Sequence, residues 1–143
     1  MKIDIVRADA NGKFEGIKNY KSVCIDRDGS INYLEISDAE CEEVRAIDVI
    51  DTFYTGDFEQ NLLSLLKKIR MNGKIVLSGC DCNILSRMLI QRQVDEKYYS
   101  SIVSNKNSMS SIKTVSSILK GFGLKIETQR FTGSNYEIVA TRG

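Results

Sequence analysis

The stretch FEQNLLSLLKKIRMNGKIVLS constrains the fold most strongly, because a helical apolar pattern is followed at once by a strand pattern. Its apolar residues recur at spacings of three and four: Phe58, Leu62, Leu65, Leu66 and Ile69. This spacing predicts an amphipathic helix, which Asp57 and Gln60 begin with a capping box and Gly73 ends. The run KIVLS at residues 74–78 is typical of a strand buried on both faces. The segment therefore predicts part of an α/β sheet.

Other strand patterns occupy the beginning and the end of the chain. Short apolar runs at residues 2–8, 22–26, 31–36 and 44–50 each predict a strand. Gly12 and Gly16 interrupt the connection between the first two, so we expect a reduced crossover there. The segments LKIETQR and NYEIVAT alternate with period two and are joined by FTGS, which predicts a hairpin over residues 124–141.

Two further helices are expected between these strand patterns. One follows Asp81 in NILSRMLIQRQV, and the other begins near Ser110 and ends at Gly121 or Gly123. The polar stretch DEKYYSSIVSNKNSMS between them predicts a loop. With 143 residues the chain fits one domain, residues 1–143, in which strands alternate with helices and an antiparallel pair closes the sheet.

Charge and hydropathy argue against several classes of function. The net charge is only +1, and Lys and Arg are spread along the chain, which argues against general nucleic-acid binding. The sequence has no apolar stretch long enough for a signal peptide or a membrane span. We therefore expect a cytoplasmic protein that does not contact a membrane.

The cysteine and histidine counts limit the available chemistry. Cys80 and Cys82 are separated by one residue, which is not the C-x-x-C spacing of zinc and redox sites. We expect the four cysteines to be reduced thiols and no metal to be bound. The chain has no histidine, so imidazole bases and catalytic triads are absent. Any proton transfer would fall to Asp, Glu, Tyr, Lys or Cys.

Collinear stretches of the chain resemble class I S-adenosylmethionine-dependent methyltransferases. The opening MKIDIVRADANGKFEGIKNYKSVCID resembles a compact subset that begins L-N-x-G-C-G-x-x-x-x-x-G-x-x-N-x-D, and DVIDTF resembles DVLEH. LLKKIRMNGKIVLSG is similar to L-x-x-L-x-x-G-G-x-L-x-I, ILKGFGLKIE to L-x-x-x-G-F, and YEIVATR to the last strand of the family. The resemblance covers nearly the whole chain. It implies a Rossmann-like α/β fold: a mostly parallel sheet, helices on both faces and a C-terminal antiparallel hairpin.

The resemblance also implies a position for S-adenosylmethionine as cofactor. Its methionyl part would lie on a glycine-rich turn after the first strand, and its ribose on an acid that ends the second strand. Asp26 occupies the position of that acid. Val6, Arg7 and Ala8 stand where the family has G-C-G, so their side chains project into the space that the methionyl part needs.

Aspartates near the predicted strand ends are candidate site residues, and each has a structural alternative. Asp26 would bind the ribose or merely begin a turn, and Asp38 would receive the adenine amino group or cap a helix or turn. Asp48 and Asp51 lie at the carboxyl end of an apolar strand, so we expect them in the crevice above the sheet, unless Asp51 only assists the following helix. Asp81, after the fifth predicted strand, has the same two interpretations.

Roles follow from these positions. Asp51 and Asp81 are the candidate catalytic residues. The candidate cofactor-binding residues are Arg7, Asp9, Asp26, Asp38 and Asp48. The alternative for Arg7 and Asp9 is a local ion pair that fills the vacated pocket.

Two hypotheses of function remain open. One is a methyltransferase acting on an unknown small-molecule or macromolecular acceptor, in which positioning supplies much of the acceleration. The other is a binding or assembly module that has lost the cofactor site, and a homodimer is open in either case. If Val6, Arg7 and Ala8 obstruct the turn, calorimetry should show no cofactor binding tighter than about 1 mM.

Overall fold

A computed structural model of the chain describes residues 1–8, 13–33 and 35–143. Within these ranges it contains six strands and four helices. In chain order they are β1 (Lys2–Arg7), β2 (Lys21–Ile25), β3 (Cys41–Ile47), α1 (Phe58–Leu66), β4 (Ile69–Cys80), α2 (Cys82–Ile90), α3 (Glu96–Val103), α4 (Ile112–Phe122), β5 (Leu124–Thr132) and β6 (Asn135–Arg142). Two short 3-10 turns, Ile50–Thr52 and Thr55–Asp57, precede α1.

All six strands form one sheet in the order β2-β1-β3-β4-β6-β5. The pairs β1–β2, β1–β3 and β3–β4 are parallel, whereas β4–β6 and β5–β6 are antiparallel. The predicted Rossmann-like sheet, mostly parallel and closed by a C-terminal hairpin, is thereby confirmed. The carboxyl ends of β1 to β4 lie at one edge of the sheet, because parallel strands share a direction.

One face of the sheet forms the apolar core with α1 and α4. Ile3, Val44, Ile75 and Ala140 lie side by side on β1, β3, β4 and β6, and none of them is exposed. Helix α1 buries the predicted face against this row: Phe58, Leu62, Leu65 and Leu66. Helix α4 adds Val115 and Leu119 and ends, as predicted, at Gly123, whose φ of 104° suits glycine.

Four predictions of local structure were wrong. Residues 31–36 do not form a strand: Ile31 makes a single bridge to Ile25, and Leu34 lies outside the described residues. Helix α1 ends at Leu66, so Gly73 lies inside β4 instead of ending the helix, and Asp57 makes no side-chain cap bond. The predicted loop before Ser110 contains α3, because the side chain of Asp95 accepts a hydrogen bond from Tyr98 N at 2.7 Å and begins a helix there.

The described part of the β1–β2 connection, residues 13–20, contains no helix. In the described ranges no helix has the length and apolar character needed to cross a bilayer. All four cysteine thiols are free. No group of three or more Cys, Asp and Glu side chains in the described residues is placed to hold a metal ion.

Candidate active site

The carboxyl ends of β1 and β3 meet at the point where the order of the sheet reverses. β1 pairs with β2 on one side and with β3 on the other, so the chain runs outward in both directions from this position. Open α/β sheets bind their ligands outside the carboxyl ends of the strands at such a switch point. Arg7 ends β1, and Asp48 follows β3 directly.

Arg7 spans this switch point. Its Nη2 donates a hydrogen bond to the carbonyl oxygen of Asp48 at 2.6 Å, and its Nη1 lies 3.6 Å from Oδ1 of Asp51. Asp48 turns the chain with a φ of 56°, a conformation that Asp adopts more readily than most residues. The side chain of Ser78 on β4 holds this turn, because its hydroxyl donates to Asp48 Oδ1 at 3.0 Å.

Asp51 is a buried carboxylate between two cations. Only 4% of the residue is exposed, and the ammonium group of Lys106 contacts Oδ2. Oδ1 of Asp51 and Oγ1 of Thr52 are buried without a hydrogen-bond partner among the described residues. A buried acceptor without a donor costs about 1–3 kcal/mol, so these two atoms are suited to a donor supplied by a ligand.

A short segment, residues 106–108, is fastened across the strand ends and is here called the strap. Asn107 Nδ2 donates to the carbonyl oxygens of Arg27 and Thr52, both at 2.7 Å. The backbone N–H groups of Asn107 and Ser108 donate to Asp51 O at 2.9 and 3.1 Å. The strap therefore joins the segment after β2 to the segment after β3 and covers the buried carboxylate.

A cavity of about 470 Å³, here called the β1–β2 cavity, opens at the carboxyl ends of these two strands. Its lining includes Arg7, Ile25, Asp26, Thr52, Ser104 and Asn107. The volume lies within the range of small-molecule sites, roughly 300–1,000 Å³. The cavity thus brings together apolar side chains, hydrogen-bond donors and hydrogen-bond acceptors.

Asp26 reaches this cavity from a tight turn after β2. Its backbone N–H donates to Ser30 O at 2.9 Å, and its Oδ2 accepts from the Ser30 hydroxyl at a long 3.3 Å. Gly29, with a φ of 85°, lets the turn approach Thr52: a Cβ there would lie 2.8 Å from Thr52 O. Hydrogen bonds from Ser30 lower the pKa of Asp28 in the same turn. The turn thus presents Asp26 at a fixed place.

Two other candidate residues are engaged in contacts of their own. Asp38 lies at the opposite edge, where its Oδ1 is 2.9 Å from Lys68 Nζ near the amino end of β4, and this hydrogen bond lowers its pKa. Asp81 caps two helices: Oδ1 accepts from Ile84 N at 3.0 Å and Oδ2 from Ile112 N at 2.8 Å. Both oxygens of Asp81 are thus used by the backbone of α2 and α4.

Of the remaining sequence candidates, the structure brings Arg7, Asp26, Asp48 and Asp51 to one edge of the sheet. Asp9 lies outside the described residues. Sequence reasoning missed Lys106, Asn107 and Thr52. The first two lie in a segment predicted to be a loop without periodicity, so only the unusual clustering of Lys and Asn in a Ser-rich stretch distinguished them.

Solved structures of other proteins share this fold. A protein from Pyrococcus horikoshii OT3 is 16% identical with a TM-score of 0.57, over 87% of this chain and 60% of that one. A SAM-dependent methyltransferase from Archaeoglobus fulgidus is 14% identical with a TM-score of 0.60, over 87% of this chain and 68% of that one. Magnesium protoporphyrin IX methyltransferase from Synechocystis PCC 6803, with bound SAH, is 13% identical with a TM-score of 0.57, over 87% and 52%.

The chain therefore has the fold of the class I S-adenosylmethionine-dependent methyltransferases. It spans 60% of the Pyrococcus protein and 52% of the Synechocystis enzyme. No protein-family model matches the sequence, and no curated protein matches it. At these identities the likeness concerns the fold, so activity must be argued from the site.

Proposed function

We propose that this protein is an S-adenosylmethionine-dependent methyltransferase whose cofactor binds in the β1–β2 cavity. The observation that carries the proposal is that Arg7 and Asp26 line the same cavity of about 470 Å³ at the carboxyl ends of β1 and β2. This edge of the sheet is where α/β folds of this kind bind ligands. The fold itself is that of methyltransferases, one of which contains bound SAH.

The residues present fit the cofactor in three places. Asp26 would accept hydrogen bonds from the ribose hydroxyls, since Ser30 is a distant partner at 3.3 Å. Arg7, with a side chain 42% exposed, would turn from Asp48 O to the methionyl carboxylate. Asp51 does not line the cavity, but its Oδ1 lies behind Arg7 without a hydrogen-bond donor in the described residues, and it would accept from the methionyl ammonium group once Arg7 turns away.

Bound S-adenosylmethionine would supply an electrophilic methyl group. The chain itself would hold the two ends of the cofactor and keep water away with the strap. Lys106 would keep the Asp51 carboxylate in place, because its ammonium group contacts the second oxygen, Oδ2. Transfer to a positioned acceptor needs no histidine, because proximity and orientation supply much of the acceleration. The acceptor is an unidentified small molecule or macromolecule.

A binding or assembly module without the cofactor is the second candidate, and one observation favours it. The Arg7 guanidinium already bonds to Asp48 O and faces Asp51 at the switch point, so a side chain of the protein occupies ligand space. The sequence prediction of an ion pair that fills the pocket had Asp9 as its partner. Asp51 is the partner among the described residues.

Calorimetric titration with S-adenosylhomocysteine tests the proposal. We expect a dissociation constant tighter than about 1 mM, equivalent to roughly 4 kcal/mol. Asp26→Ala should weaken binding at least tenfold. Asp57→Ala is the matched control, because Asp57 is an exposed acid that makes no cap bond at the start of α1.

The two candidates predict different titrations. Binding by the wild type that Asp26→Ala weakens and Asp57→Ala preserves supports a methyltransferase site. No heat of binding up to about 1 mM contradicts it and favours the module. Equal loss in both variants would also contradict the assigned site, since it would place the ribose away from Asp26.

A further inference from the structure

Helices α2 and α3 are thinly packed against the rest of the protein. The eight residues of α3 include none that is buried, and the nine residues of α2 include only Leu85. Their main contacts are with each other. By contrast, α1 buries four side chains in its nine residues.

Helices this short do not sustain themselves in water. Nucleation is costly, so isolated helices below about 12–15 residues are marginal, and most helical stability in proteins comes from packing of an apolar face. Caps support α2 and α3, since Asp81 and Asp95 accept hydrogen bonds at their first turns. Capping contributes only about 1 kcal/mol each. A further packing partner would therefore stabilise these helices.

An apolar patch with a groove, here called the α2–α3 face, lies at the connection between the end of α2 and the start of α3. Ile90 is 79% exposed and Tyr98 47% exposed, which are large values for side chains of this size. Leu89, Ile90 and Val94 line a groove of about 410 Å³. Exposed apolar side chains around a groove with a polar rim are typical of a protein interaction site.

Charges of both signs lie along the rim of this groove. Arg92 follows α2, Asp95 and Glu96 lie at the start of α3, and all three line the groove. An interface related by a twofold axis brings each residue of the patch against another residue of the same patch. A surface with both signs is then complementary to itself, and in such an interface Arg92 of one copy would face Glu96 of the other.

We propose that the α2–α3 face is the interface of a homodimer, with Ile90 of one copy seated in the groove of the other. A second copy supplies the apolar cover that α2 and α3 lack and pairs the charges of the rim. The interface is also connected to the candidate active site. Helix α3 ends at Val103, and the next residues, Ser104 and Asn105, line the β1–β2 cavity.

Sedimentation of the full chain without any ligand tests the interface. We expect the wild type to sediment as a dimer that dissociates on dilution, and Ile90→Lys to sediment as a monomer. Met71→Lys is the matched control. Met71 is 60% exposed and lies near the amino end of β4, whereas α2 follows the carboxyl end of that strand. This variant should remain dimeric.

Charge reversal separates pairing across the interface from a general loss of helix structure. Arg92→Glu should raise the dissociation constant of the dimer at least tenfold by placing like charges face to face. The double variant Arg92→Glu with Glu96→Arg should recover the wild-type constant within about threefold, because the pairs are restored with signs exchanged. Damage confined to one helix would not be repaired in this way.

Three outcomes would overturn the proposal. The first is a wild type that is monomeric up to about 1 mM. The second is a dimer that Ile90→Lys and Met71→Lys leave equally intact, which places the interface elsewhere. The third is a charge-reversed double variant no better than Arg92→Glu. The sedimentation experiments contain no cofactor, so their outcome does not depend on whether S-adenosylhomocysteine binds. Likewise, the absence of a dimer would not alter the interpretation of the S-adenosylhomocysteine titration.

Discussion

Arg7 Nη2 donates a hydrogen bond to the carbonyl oxygen of Asp48 at 2.6 Å and so joins the carboxyl ends of β1 and β3. The two residues are 41 positions apart in the sequence. The contact lies at the switch point of the sheet, where folds of this kind bind ligands. The same guanidinium faces the buried carboxylate of Asp51. The Arg7 side chain therefore both joins two strands and occupies the place where a cofactor would bind.

Asp51→Asn should destabilise the protein. The substitution removes the charge opposite Lys106, whose side chain is only 16% exposed, and leaves that ammonium group poorly compensated. Breaking a buried pair from one side costs about 3–5 kcal/mol. Urea unfolding at neutral pH measures this loss.

The control for this prediction is Asp38→Asn. Asp38 also pairs with a lysine, Lys68, but its side chain is 67% exposed, so water screens the interaction. Its effect on the free energy of unfolding should be much smaller. Similar losses in the two variants would show that burial of Asp51 does not decide its contribution.

Leu65→Ala should lower the free energy of unfolding by about 2–5 kcal/mol, because it leaves a cavity in the core. Leu65 is fully buried on the face of α1 that packs on the sheet. Leu63→Ala makes the same chemical change in the same helix at a partly buried position, so its cost should be clearly smaller. Equal costs in denaturant titrations would contradict the assigned helix face.

The sequence predicted the architecture well because periodicity records which side of each element is buried. The spacing of Leu62, Leu65 and Leu66 predicted the buried face of α1, and the alternation after Gly123 predicted the hairpin. Boundaries depended on weaker local signals. Gly73 suggested a helix end, yet the chain enters β4 at Ile69, since Ile69 pairs with Cys41 and joins the core.

The candidate site was predictable only in part. Arg7, Asp26, Asp48 and Asp51 lie at or near the carboxyl ends of predicted strands, so the parallel sheet brings them to one edge. The strap was not predictable, because Asn107 reaches Arg27 O across 80 positions of sequence and no local pattern encodes that contact. Asp81 illustrates the reverse: its position after β4 suggested catalysis, whereas both oxygens cap helices.

Two buried acids on the face of the sheet opposite the core should respond to pH in opposite directions. Burial raises the pKa of Asp4, which Arg45 only partly counteracts. Burial also acts to raise the pKa of Glu43, but hydrogen bonds from Tyr20 and Lys74 outweigh it and lower the pKa. Asp4 therefore contributes stability below its unfolded pKa that is lost as pH rises, and Glu43 contributes stability that is lost as pH falls.

Urea unfolding at about pH 3 and about pH 7 measures these contributions in Asp4→Asn and Glu43→Gln. Relative to the wild type, Asp4→Asn should gain stability as pH rises, because the wild type then carries a poorly solvated charge. Glu43→Gln should lose stability over the same interval. Parallel changes in the two variants would show that the polar contacts of Glu43 do not outweigh its burial.

The hydroxyl of Tyr20 should lose its proton only at unusually high pH. Its hydroxyl donates to Glu43 Oε2, and this hydrogen bond raises the pKa of Tyr20 to about 12. The folded pKa exceeds the unfolded value, so the stabilisation is complete below the unfolded pKa and is lost as pH rises toward about 12. Tyr20→Phe should therefore show a shallower alkaline loss of stability than the wild type. Identical alkaline profiles would argue against the bond.

Substitution of Arg7 should distinguish the two candidate functions by the sign of its effect. If Arg7 binds the methionyl carboxylate, Arg7→Ala removes a charged hydrogen bond of roughly 1.5–3 kcal/mol and weakens S-adenosylhomocysteine binding roughly ten- to a hundredfold. If Arg7 instead fills the site, the same variant vacates Asp48 O and Asp51, and binding becomes tighter or appears where the wild type had none. Arg130→Ala is the control, since this arginine pairs with Glu137 on the terminal hairpin. Calorimetry of the three proteins side by side gives the sign directly, and a gain of affinity in Arg7→Ala would refute the proposed role of Arg7 in a methyltransferase site.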